Sequence, residues 1–142
     1  MDKPHDHCCD HDNSCEHEHC NETLFGEANE VPAVFSYKKS IQLNKGITGY
    51  ELSVNLVDSF EAIKLWATQN KYFIGHIKLF IENGESNFDL WISTTGNKVN
   101  VKGSIEWEKS ILKNCNLNMT AIIFGVEEYI LRKIIIEKFN FN

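Results

Sequence analysis

From Met1 to Cys20 the chain has no valine, isoleucine, leucine, phenylalanine, tryptophan or tyrosine. A segment without such side chains has nothing to bury, so it cannot contribute to a hydrophobic core. Other absences run through the whole sequence. No apolar run approaches the ~20 residues of a membrane span. No basic start followed by an apolar stretch marks a secretory signal. A cytoplasmic protein without a membrane partner is the expectation. No G-x-x-x-x-G-K-[ST] phosphate loop and no strand-borne G-x-G-x-x-G occurs, which removes the common nucleotide-binding signatures. Beyond residue 20 there is one histidine, His76, and one cysteine, Cys115, too few for a readable nucleophile–base arrangement, and a non-enzyme is expected. Basic surplus is missing too. Residues 21–142 carry 13 basic and 14 acidic side chains, so no nucleic-acid partner is expected from charge.

What is present is concentrated at the start. MDKPHDHCCDHDNSCEHEHC contains four cysteines and five histidines, with six acids against one lysine, so it supplies −5 of the formal −6. His5-Asp6-His7-Cys8 is echoed twelve residues later by His17-Glu18-His19-Cys20, and Cys9, His11 and Cys15 lie between. In a reducing compartment clustered cysteines serve as metal ligands or redox groups more often than as disulfides. The metal-ligand candidates are therefore His5, His7, Cys8, Cys9, His11, Cys15, His17, His19 and Cys20. These nine donors suffice for two four-coordinate sites. Thiolate and imidazole together suit Zn²⁺ or Ni²⁺, with Co²⁺ and copper also accepted, whereas Mg²⁺ and Ca²⁺ prefer oxygen. The spacing is not that of a zinc finger, and no apolar residue is available to build one. The expectation is a tail over 1–20 that is disordered without metal and reaches about 25 Å root-mean-square if flexible. A redox pair at Cys8 and Cys9 is the competing chemistry.

Residues 21–32, with Gly26 and Pro32, read as a linker, and 33–142 as one α+β domain. VFSYKKSIQL reads as a strand, NKGITG as a turn, and YELSVNL as a strand with Leu52, Val54 and Leu56 on one face. A helix capped by Asp58 or Ser59 then buries Phe60, Ile63, Trp66 and Ala67. FIGHIKLFIE, SNFDLWIST and KVNVKGSIEW form a meander, NLNMTAIIFGV a buried strand, and EEYILRKIIIEKF a closing helix. The expected fold is a two-layer sandwich, a mostly antiparallel sheet with two helices on one face, ferredoxin-like or related. Cys115 reads as a buried small residue. His76 and Lys78 share a strand face, and with Trp91 and Trp107 they are the residues of a rival reading, a small enzyme with a pocket on the sheet.

In element order and in its biased start, the chain resembles the C-terminal domain of CobW-type metal-chaperone GTPases with its preceding His-rich stretch. The residues that carry the likeness are HDHCCDHDNSCEHEHC, the strand VFSYKKSIQL, the helix FEAIKLWATQN, the lysine-bearing strand GHIKLFIE, TAIIFGV and the acid-led helix EEYILRKIII. The resemblance implies a metallochaperone role, with a separately encoded GTPase or a metalloenzyme or corrinoid (cobalamin) client as partner. It does not imply the family's GTP-driven step, since the phosphate loop is missing and Cys8-Cys9 is not the family's internal C-x-C-C. The expected function is thus a metal-binding accessory protein, with a buffer or storage protein and a metal sensor as competitors.

Overall fold

In the computed structural model, residues 31–140 are described. The expected tail, 1–20, and most of the expected linker, 21–32, lie outside them. The elements run β1 (Ala33–Thr48), α1 (Gly49–Gln69), β2 (Phe73–Asn83), β3 (Phe88–Thr94), β4 (Asn100–Gly103), a 3₁₀ turn (Trp107–Lys109), β5 (Ile111–Phe124) and α2 (Glu128–Phe139). They form a five-stranded sheet in the order β1-β5-β2-β3-β4 with antiparallel neighbours throughout. This is the α+β sandwich expected. In a ferredoxin-like split βαβ unit an antiparallel strand is inserted between the two strands that the helix connects; here β5 lies between β1 and β2, which α1 joins.

One sheet face is apolar because alternate residues of adjacent strands fall into register. Phe35 lies opposite Ala121, Leu79 opposite both Met119 and Ile92, and Ile81 opposite Leu117 and Leu90. Their burial, with that of Leu56, Phe60, Ile63, Leu131 and Ile135 from the helices, makes a single core. The helices meet each other through Phe60 and Phe139, whose rings contact edge-on at 5.5 Å. The Ser59 hydroxyl also donates to the Lys138 carbonyl at 3.0 Å. Arg132 of α2 sits over the Phe35 ring at 5.5 Å, which anchors α2 above β1.

Two expectations around residue 50 are corrected. NKGIT is not a turn: β1 continues through it to Thr48, with a register shift between Gln42 and Ile47. YELSVNL is not a strand but the first two turns of α1. The buried residues Gly49, Ser53, Leu56, Phe60, Ile63 and Ala67 recur at alternating steps of four and three, which is helical spacing, and Val54 is exposed. The helix starts at a capping box, with Thr48 accepting from the Glu51 amide at 3.1 Å while the Thr48 amide donates to the Glu51 carboxylate at 3.3 Å. Asp58 and Ser59 therefore lie inside the helix and do not cap it. KVNVKGSIEW is also shorter as a strand than expected, since Glu106 adopts a left-handed conformation (φ 59°) and the chain turns into the 3₁₀ segment at Trp107.

The box gives a direct check. Thr48→Ala removes the side-chain acceptor and is expected to cost about 1 kcal/mol. In a urea titration the midpoint should fall while the slope stays constant.

Candidate functional site

All nine sequence-derived metal ligands, His5, His7, Cys8, Cys9, His11, Cys15, His17, His19 and Cys20, lie outside the described residues. Among the described residues no group of three or more His, Cys, Asp or Glu side chains is placed to hold a metal ion. Cys115 is buried in β5, and desolvation pushes its thiol above the ordinary value. It stays a neutral thiol packed in the core, a poor nucleophile and a poor ligand.

The rival set divides. His76, Lys78 and Trp91 share the sheet face opposite the helices, but Trp107 does not join them. It lies near Gly49 and against Gly103, where a Cβ would overlap its ring, and Gly103 pairs with Leu90 on the core face. Trp107 is thus a packing residue at the start of α1. His76 reaches the open face because of a bulge at Gly75. Ile74 pairs with Ile123 before it and His76 with Ile122 after it, so Ile74 and Ile77 both point into the core while His76 and Lys78 point away.

Register orders that open face into rows. Across the middle run Lys38, Asn118, Phe80, Trp91 and Lys102, each paired with the next on the neighbouring strand. At about 4.8 Å per strand this row is roughly 19 Å wide. Beside it run Ser36, Thr120, Lys78, Ser93 and Asn100 on one side, and Ser40, Asn116, Glu82 and Asp89 on the other. The Phe80 and Trp91 rings are 4.8 Å apart and inclined by 34°. Trp91 keeps 44% of its surface exposed. A shallow groove of about 360 Å³ is lined by Trp91, Ser93, Asn100 and Lys102. His76 is not part of that lining, so the groove does not supply the His76-centred pocket of the enzyme reading. Phe80, Lys38 and Lys102 were not singled out from the sequence. Alternation gives the face of each within its own strand, but only strand order and register place them in one row.

No family model matches the chain. No curated protein matches it either. Among solved structures, the Zn(II)-bound YjiA GTPase from E. coli is similar over 71% of this chain, with 13% sequence identity and a TM-score of 0.41. The chain spans 28% of that GTPase. At this score the likeness fixes nothing about activity, metal or partner. Among the described residues no helix is long and apolar enough to cross a membrane.

Proposed function

We propose that the chain is a cytoplasmic metal-binding accessory protein. Residues 1–20 capture Zn²⁺, Ni²⁺ or Co²⁺ through thiolate and imidazole donors, and the α+β domain docks on a client. The client is a separately encoded GTPase or a metalloenzyme or corrinoid protein, and the chain itself catalyses no reaction. The observation that carries the reading is the segregation of donors. Nine N or S donors occupy twenty residues that have no Val, Ile, Leu, Phe, Trp or Tyr, while the rest of the chain holds one histidine and one cysteine. Donors gathered without a core of their own hold metal by coordination alone, so an incoming ligand can replace them one at a time. Acids between the donors attract cations and accept hydrogen bonds from imidazole N–H groups. The mechanism is ligand exchange: an acceptor site enters the coordination sphere as a thiolate or imidazole leaves.

The test is the kinetics of zinc transfer from the loaded full chain to a chromogenic chelator. Exchange by ligand substitution predicts a rate that rises with chelator concentration. A slow rate that does not depend on chelator concentration means that metal must first dissociate, which describes a buffer and overturns hand-over.

A further inference from the structure

Metal capture leaves the open face of the sheet unused, and that face has chemistry of its own. We propose that it binds single-stranded RNA, with two bases stacked on Phe80 and Trp91 and the phosphates between and beside them met by Lys38, Lys78 and Lys102. Three observations support this. Both helices lie on the other face, which leaves a broad antiparallel surface whose central row is Lys-Asn-Phe-Trp-Lys. Its centre is an adjacent aromatic pair with one ring 44% exposed, and unpaired bases stack on such rings whatever their identity. Its cations occupy both ends of the aromatic row and the row next to it, where a strand crossing the sheet would carry its phosphates.

The polar side chains fit the same ligand. Ser93, Asn100, Asn118 and Thr120 border the rings and can both donate and accept, as recognition of a ribose 2′-hydroxyl requires. Glu82 and Asp89 face each other on the far side of the aromatic row. Their carboxylates repel phosphate and close the platform there, limiting the footprint to a few nucleotides. The near-neutral balance of residues 21–142 argued against such a partner. That balance is an average, and it conceals three lysines gathered around two aromatic rings.

The experiment uses the full chain in reducing, chelator-containing buffer, with fluorescence anisotropy of a labelled oligouridylate about eight nucleotides long. Binding is expected with a log–log salt slope of about −2, corresponding to three phosphate contacts on a single strand. Trp91→Ala should weaken it at least about tenfold. Lys102→Gln, which leaves the aromatic pair and the core intact, should make the slope shallower by about 0.7. Circular dichroism confirms that each variant is folded. Several results overturn the proposal: no binding, binding unchanged in both variants, equal binding of a duplex or of the corresponding DNA strand, or equal binding of uridine monophosphate.

Discussion

Gly49→Ala is expected to destabilise the domain by about 3 kcal/mol, the scale of forced overpacking in a well-packed site. Gly49 is the first residue of α1, and its amide donates to the Ser110 carbonyl at 2.8 Å. A Cβ at this position would overlap the Trp107 carbonyl oxygen and approach the Phe88 ring at 2.9 Å. Neither neighbour is the free end of a flexible side chain. The 3₁₀ turn would have to move away from the helix start, taking Trp107 off Gly103. Gly103→Ala should act on the same contact from the other side, because its Cβ would overlap the Trp107 ring. Gly84 provides the control: nothing lies within 4 Å of a Cβ placed there, and its backbone is not in the positive-φ region. Gly84→Ala should therefore be neutral or slightly stabilising. Thermal melts check all three. The two destabilising variants should melt more than ~10 °C below the parent. A Gly49→Ala protein that melts with the parent would mean that Trp107 does not pack against the start of α1.

That contact also shows where the sequence could be read and where it could not. β2, β3, β5 and α2 were legible because each has a run of buried residues at one period, as in Ile77-Leu79-Ile81, Leu117-Met119-Ala121 or Leu131-Ile135. The stretch from Asn44 to Asp58 was not. Leu52, Val54 and Leu56 imitate a strand, while Gly49 and Ser53 hide the helical stripe because neither is apolar. Ser53 is tolerated on the buried side because its hydroxyl donates to the Tyr50 carbonyl at 2.7 Å. Thr48 with Glu51 was the available signal for the helix start, and its four-residue pattern outweighs the apparent alternation. The open face divides in the same way. His76, Lys78 and Trp91 could be named from alternation, but their neighbours Phe80 and Lys102 come into one row only through the sheet order. For residues 1–20 the expectation rests on donor identity alone, and those residues lie outside the described ones.

The second large effect is expected in that tail. Replacing Cys8, Cys9, Cys15 and Cys20 with serine removes every thiolate and leaves five imidazoles among six carboxylates. Serine hydroxyls are not ligands for Zn²⁺ at neutral pH, so tight sites of mixed sulfur and nitrogen ligation are lost and only weak imidazole binding remains. Zinc affinity should fall by at least about a hundredfold. The residual imidazole binding should disappear as pH falls through about 6.5, the range in which histidine protonates. The melting transition of the α+β domain is expected to stay unchanged, because the proposed role of the substituted residues is metal capture alone. If the serine variant keeps the parent's affinity, the cysteines are not ligands, and the Cys8–Cys9 redox pair becomes the better reading.

The most direct test of the whole reading is the metal content of the full chain and of residues 21–142, both purified under reducing conditions and equilibrated with the same buffered zinc. Segregated donors predict about one to two Zn²⁺ per full chain, the capacity of nine N and S ligands at four per site, and none retained by residues 21–142. Equal zinc in the two proteins would place the ligands in the folded domain and contradict the assignment of metal capture to residues 1–20.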